Sequence, residues 1–231
     1  MHILLVDDDT ELCALLVRYL ERELFKVTAV HTAEDGLRES LSGRYKAVIL
    51  DVMLPGGNGI EILANIRKRS DIPVLMLTAK GDEVYRIEGL EIGADDYIAK
   101  PCNPRELSAR LRSILRRGHS TSVAEAVKEI DDLTVDFDQH KVIKAGEELE
   151  LTVTEFNILA VFAREVGKVI DKNRLAEQSM QRSLTLFDRS LDMHLSNLRK
   201  KLGDSPEGHP RIKTIRGVGY MYVTDQEAAN G

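Results

Sequence analysis

Asp7, Asp8 and Asp9 stand in a row directly after the apolar run Ile3 to Val6, and a further carboxylate, Asp51, closes a second apolar run, Ala47 to Leu50. Thr78 ends a third such run, and Lys100, followed by Pro101, ends a fourth. If the fold brings these side chains together they form an anion-rich cup with one ammonium and one hydroxyl. Carboxylates gathered without neutralisation repel and raise one another's pKa, so the economical explanation is a bound divalent cation with oxygen ligands. Magnesium is the expected ion, because it binds through one or two carboxylates and leaves positions for water and phosphate oxygens. A carboxylate oxygen of Asp51 could then attack phosphorus, while Lys100 and Thr78 stabilise the equatorial oxygens; the product would be an acyl phosphate.

Those residues meet only if the elements carrying them lie side by side. Short apolar runs at Ile3 to Val6, Val27 to Val30, Ala47 to Leu50 and Val74 to Leu77, with a weaker one at Tyr97 to Ala99, alternate with segments of helical period. Leu12, Leu16, Tyr19 and Leu20 make a stripe on the first helix, and Leu107, Leu111, Ile114 and Leu115 make one on the last. Repeated βα units predict a doubly wound parallel sheet covered on both faces. In such a sheet functional groups collect beyond the carboxyl ends of the strands, where all of the residues above are delivered. A single strand-end aspartate is commonly a turn former or helix N-cap, and Asp9 is expected to cap the helix beginning near Thr10. Coincidence of the whole set at one sheet edge has no such explanation.

The chain has 231 residues, enough for two domains of ordinary size. No apolar run approaches the ~20 residues that cross a bilayer, and the first residues are unlike a signal peptide, so a cytoplasmic protein without membrane insertion is expected. Cys13 and Cys102 have neither metal-ligand nor redox-pair spacing, which suits a reducing compartment. The net charge of -6 argues against nonspecific coating of nucleic acid. Its distribution matters more: between Arg189 and Arg216 seven Lys/Arg face three Asp/Glu, a basic stripe in an acidic chain.

Residues 118–128 are small, polar and without an apolar stripe, and read as a linker between residues 1–117 and a second domain, 129–226. Strands are expected at Leu133 to Phe137, Lys141 to Lys144 and Leu149 to Leu151, with a turn at Ala145-Gly146-Glu147. Thr152-Val-Thr-Glu155 has capping-box spacing and starts a helix; a shorter one follows at Asn173 to Met180, and a third runs from Asp188 to Leu202. A hairpin, Ile212 to Ile215 and Tyr220 to Val223, closes the domain, which predicts an α+β winged helix. In the third helix Leu191, Leu195, Leu198 and Leu202 form the core stripe. Opposite it fall Arg189, Met193, Ser196, Asn197 and Lys200, flanked by His194, Arg199 and Lys201, a mixture suited to base edges and phosphates; Asn197 is expected to read sequence.

Asp7-Asp8 after a strand, Leu50-Asp51-Val-Met-Leu-Pro55 with Gly59, Leu77-Thr78-Ala79, Gly93-Ala-Asp-Asp-Tyr97 and Lys100-Pro101 resemble the flavodoxin-like (βα)5 receiver of response regulators. Leu151-Thr-x-Thr-Glu-Phe156, Asp188 to His194 and Ile215-Arg-Gly-Val-Gly-Tyr220 resemble the OmpR/PhoB-type winged-helix DNA-binding domain. The resemblance implies that Asp51 is the phosphoacceptor, that Asp7, Asp8, Asp51 and the Met53 carbonyl hold Mg²⁺, and that Thr78 and Tyr97 act as the switch. It implies a sensor histidine kinase as donor and homodimerisation on phosphorylation, with Arg86 opposite Glu106 and Asp96 opposite Arg110 across the interface. It also implies double-stranded promoter DNA and RNA polymerase as partners, the third helix in the major groove, Arg216 of the wing in the minor groove, and Lys200, Lys201 and Lys213 on phosphates. Phe187 to Leu202 and Gly208-His-Pro210 resemble members of this branch that regulate envelope-stress genes. Cys102 stands where such receivers usually carry phenylalanine.

Two other classes fit these residues less well. An aspartyl-phosphate phosphatase would need an acid at position 53, which is Met53, and an FMN carrier would want amides rather than acids in the first βα loop. An RNA-binding second domain would want clustered aromatics, and the chain is 5% aromatic with no tryptophan.

Overall fold

In the computed structural model, residues 1–79, 83–115, 126–180, 182, 184 and 189–228 are described, and the chain divides into two compact units, Met1–Leu115 and Arg116–Gly231. The first eight residues of the expected linker, Asp188 at the start of the helix expected at Asp188 to Leu202, and the last three residues of the tail lie outside the described residues.

The first unit runs β1 (His2–Val6), α1 (Thr10–Arg22), β2 (Lys26–Val30), α2 (Ala33–Ser40), β3 (Ala47–Asp51), a two-residue ladder of β4 (Met53–Leu54) with β5 (Gly57–Asn58), α3 (Gly59–Arg67), β6 (Val74–Ala79), α4 (Glu83–Ile92), β7 (Asp96–Lys100) and α5 (Pro104–Leu115). The main sheet has the order β2-β1-β3-β6-β7 and every pairing in it is parallel. β1 and β3 read as near-continuous apolar runs because both faces of the sheet are covered, and Ile3 to Val6 and Ala47 to Leu50 are fully buried. The order reverses between β1 and β3, so the crevice beyond their carboxyl ends is the switch point where ligands bind in open sheets. Asp9 caps α1 by accepting the Leu12 amide at 2.9 Å, as its position after β1 predicts.

The second unit runs β8 (Val127–Ile130), β9 (Leu133–Asp136), β10 (Lys141–Lys144), β11 (Glu147–Glu148), α6 (Val153–Arg164), β12 (Val169–Asp171), α7 (Lys172–Met180), α8 (Ser190–Leu202), β13 (Ile212–Ile215), β14 (Gly219–Tyr222) and α9 (Asp225–Ala228). A four-stranded antiparallel sheet, β11-β10-β9-β8, precedes the helices, and a three-stranded one, β12-β14-β13, includes the closing hairpin. Leu191, Leu195, Leu198 and Leu202 of α8 are fully buried in one core with Phe156, Leu159 and Phe162 of α6 and Tyr222 of β14.

Two sequence expectations shift here, and one strand had no sequence expectation. β8 begins at Val127, inside the expected linker, because Val127 to Ile130 pair with Asp136 to Leu133. The strand expected at Leu149 to Leu151 lies instead at Glu147–Glu148. Ala145 and Gly146 take φ of 49° and 89°, two consecutive left-handed residues that make a tight two-residue hairpin turn, so the chain re-pairs at once, Lys144 with Glu147. β12 carries no turn signal strong enough to be read, and exists because β14 offers it an edge.

The capping box is present: the Glu155 amide donates to Thr152 Oγ1, and the Thr152 amide donates to Glu155 Oε2 at 2.9 Å. Arg211, counted from sequence in the basic stripe, belongs to the interior: its side chain is 1% exposed, pairs with Asp132 and donates to the Tyr222 hydroxyl at 3.3 Å. Among the described residues no helix is long and apolar enough to cross a membrane.

Candidate functional site

Register brings the acidic residues together. Asp51 pairs with Leu77, which places Thr78 one residue further along the neighbouring strand, and Ala79 pairs with Lys100 on the next. The Lys100 ammonium lies 2.7 Å from Asp7 Oδ2 and 2.7 Å from Asp51 Oδ2. Asp7, Asp8 and Asp51 each offer a carboxylate oxygen, all within 4.8 Å of one another; Asp7 and Asp51 are buried and Asp8 is exposed. Thr78 is buried at the same edge. The Asp9 amide donates to Asp7 Oδ1 at 3.0 Å, which orients that carboxylate.

Asp7 and Asp51 share one ammonium, with Asp8 in the same cluster. Burial pushes the Asp51 carboxyl above its ordinary value; hydrogen bonding to Lys100 pulls it back, the charge of Asp7 raises it further, and the Met53 amide opposes that. Burial works against the Lys100 ammonium too, yet its hydrogen bonds to Asp51 and Asp7 outweigh burial and raise its pKa. A hard divalent cation fits such a donor set: two buried carboxylates fix the oxygens, and exposed Asp8 leaves a side open to water and phosphate oxygens.

Backbone packing fixes the position of Asp51. A Cβ added at Gly59 would sit 2.0 Å from the Asp51 carbonyl oxygen, and the Gly59 amide donates to the Val52 carbonyl at 2.8 Å. Gly59→Ala must therefore push α3 from the strand end; we expect a loss of about 1–3 kcal/mol in stability, read by denaturant unfolding of the receiver. A thermal and denaturant midpoint equal to wild type would contradict this close approach. His31, which follows β2, puts Nδ1 2.8 Å from the Asp7 carbonyl oxygen. His31 is thus what β2 delivers to this edge, and its place directly after the run Val27 to Val30 is the sequence signal for it.

Tyr97 is half-buried on β7, with the Arg86 guanidinium of α4 over its ring at 4.7 Å. The neighbouring Asp96 accepts from Arg110 at 2.8 Å, and Arg110 also donates to Glu106 at 2.7 Å. The charges expected to pair across an interface thus have partners within this chain: β7 is tied to α4 through Tyr97 and to α5 through Asp96.

On α8 the exposed or half-exposed stripe is Arg189, Met193, Ser196 and Lys200. His194 and Asn197, expected on or beside the groove face, are 1% and 8% exposed. The leucine stripe marks only the centre of the buried face, and the covered arc is wide enough to take in both polar residues. Asn197 is therefore not placed to read base edges. Arg199 donates to the Ile212 carbonyl at 3.1 Å and to Thr214 Oγ1 at 2.8 Å, and Lys201 donates to Glu155 Oε2 at 2.7 Å, so both are engaged inside the domain. Lys213 and Arg216 are exposed, the latter at the turn of the β13–β14 hairpin.

The description "Response regulator receiver domain" matches residues 3–112, and "Transcriptional regulatory protein, C terminal" matches residues 146–222. Transcriptional regulatory protein CpxR of Escherichia coli K12 is 45% identical over 228 residues, covering 96% of this chain and 98% of the relative. The CpxR homolog of Haemophilus influenzae is 47% identical over 227 residues, covering 96% and 99%. Among solved structures, the response regulator DrrB of Thermotoga maritima, an OmpR/PhoB homolog, is 34% identical with a TM-score of 0.51 over 96% of this chain and 98% of its own. Parallel receiver sheet, acidic cup, winged helix and near full-length likeness agree: this chain belongs to the OmpR/PhoB-type response regulators, the transcription-regulating output proteins of two-component systems.

Proposed function

We propose that Asp51 is the phosphoacceptor and that its phosphorylation drives homodimerisation and tighter binding to promoter DNA. The observation that carries this reading is the Lys100 ammonium 2.7 Å from both Asp7 and Asp51, with Asp8 in the same cluster. An oxygen of Asp51 attacks the phosphorus of a phosphohistidine on a sensor histidine kinase; the N–P bond breaks, its electron pair stays on the imidazole, and an acyl phosphate forms. Asp7, Asp8, Asp51 and the Met53 carbonyl would hold Mg²⁺, which supplies positive charge to the transferring oxygens. Lys100 balances the rest of that charge, and the Thr78 hydroxyl meets a phosphoryl oxygen.

Tyr97 then turns inward, leaving Arg86, and the surface of α4, β7 and α5 becomes a dimer interface in which Arg86, Asp96, Glu106 and Arg110 exchange intrachain partners for the partner copy. The two DNA-binding domains then reach paired sites on promoter DNA, and Arg189, Met193, Ser196 and Lys200 enter the major groove, Met193 and Ser196 taking the base-reading role first given to Asn197. Lys213 meets phosphates and Arg216 the minor groove; RNA polymerase is the further partner. The protein works in the cytoplasm, on envelope-stress genes by its likeness to that part of the branch.

Acetyl phosphate with Mg²⁺ should label Asp51, mapped by mass spectrometry, and chelation should abolish the label. The footprint on duplex DNA should strengthen in parallel; label at another residue, or labelling indifferent to chelator, would remove this mechanism. In Lys100→Ala some label should still enter, but without the cation that links the phosphate to β7 the labelled protein should stay monomeric in sedimentation. Normal phosphate-dependent dimers in that variant would refute the linking role.

A further inference from the structure

An acid on a DNA-facing helix is a liability beside phosphates, and Asp192 lies in the first turn of α8 between Arg189 and Met193. Its side chain is 40% exposed, and both carboxylate oxygens have partners within the domain. Asp192 Oδ1 accepts from the Tyr220 hydroxyl of β14 at 2.6 Å, and Oδ2 accepts from Lys172 at the start of α7 at 2.8 Å. Tyr220 is 9% exposed, and burial, followed by its hydrogen bond to Asp192, raises the phenol above its ordinary pKa, so it stays a donor. Seven residues on, and therefore on the same helix face, Arg199 binds the Ile212 carbonyl and Thr214 Oγ1 of β13 and lies 5.8 Å from the Tyr220 ring. Two ties separated by about 10 Å of helix, at 1.5 Å per residue, fix tilt as well as distance. Tyr220 adjoins Gly219, the last register position before the turn that carries Arg216.

We propose that Asp192 is a positioning residue for DNA recognition: through Tyr220 it sets the hairpin's angle to α8, so that Arg216 reaches the same duplex that α8 has entered. This rests on the reading that α8 and Arg216 contact DNA. When two contacts are rigidly linked, the first to form brings the second without a further ordering cost; a loosened link loses the second contact even though its residue is still present. Asp192 touches no DNA in this scheme. Its removal takes away what Arg216 contributes, and removing both costs little more than removing one.

The test is a double-mutant cycle on the full chain, with a duplex selected from a random-sequence pool by the wild-type protein and affinity read by fluorescence anisotropy. Asp192→Ala and Arg216→Ala should each weaken binding about tenfold, and the double variant should be no more than about twofold weaker than the weaker single, since coupled positions are non-additive. Footprinting should show minor-groove protection beside the site lost in Asp192→Ala and major-groove protection kept, which a general loss of folding would not produce. Asp192→Asn, which retains an acceptor for Tyr220, should recover part of the affinity. Tyr220→Phe keeps the ring and removes only the hydroxyl, so it repeats the cycle should Asp192→Ala fold poorly. Losses that multiply in both double variants would overturn the proposal. An unchanged affinity in Arg216→Ala would sink the wing-contact reading, and this proposal with it.

Discussion

Asp51→Asn should take up no label from acetyl phosphate and Mg²⁺, and its affinity for duplex DNA should be the same before and after that treatment. The amide has nearly the size of the carboxylate and still offers Lys100 an acceptor, but it is not a nucleophile toward phosphorus. Stability supplies a second readout. Burial and the charge of Asp7 hold the Asp51 carboxyl above its ordinary value, so the charged form is less favourable in the folded state than in the unfolded chain, and at neutral pH it works against folding. Without Mg²⁺ the thermal midpoint of Asp51→Asn should therefore stand at or above wild type. Residual label at position 51, or DNA binding that still rises after treatment, would separate the acidic cup from the switch; a lower midpoint would mean that the Asp51 charge holds the sheet edge together.

Arg211→Ala should cost the second domain about 3–5 kcal/mol, the usual penalty for breaking a buried ion pair from one side. Its guanidinium is 1% exposed and joins Asp132 and, at 3.9 Å, Asp131 of the β8–β9 turn to the buried Tyr222 hydroxyl of β14. Truncation leaves two partly buried carboxylates without their cation and opens a cavity beside Tyr222. Against a domain stability of roughly 5–15 kcal/mol this is a large fraction, so denaturant unfolding should show the second domain failing first while the receiver transition stays in place. Combining Arg211→Met with Asp132→Asn removes both charges and should recover part of the loss. If Arg211 were instead a phosphate contact in the basic stripe, Arg211→Ala would melt like wild type and flatten the salt dependence of DNA binding.

Much of the receiver was legible from local pattern. Apolar runs marked its five main strands, and each catalytic candidate followed a run directly, so the parallel-sheet rule alone assembled Asp7, Asp51, Thr78 and Lys100 at one edge. The second domain was legible in its helices, where the capping box at Thr152 and the leucine spacing of α8 are short-range signals. Its small sheets were less so: a turn at Ala145-Gly146 moved a strand by two residues, and β12 needed β14 as a partner before it could exist.

By itself the sequence determined the two-domain plan, the cluster of carboxylates at one sheet edge and the basic helix, because strand ends and helix faces follow from backbone periods of two and 3.6 residues. Tertiary structure alone decided which charges are spent inside the fold. Arg211 reaches Asp132 across 79 positions and Lys201 reaches Glu155 across 46, and neither separation leaves a periodic trace. The burial of His194 and Asn197 has the same reason: a helical wheel gives the direction of a side chain, but how wide an arc is buried depends on what packs around the helix.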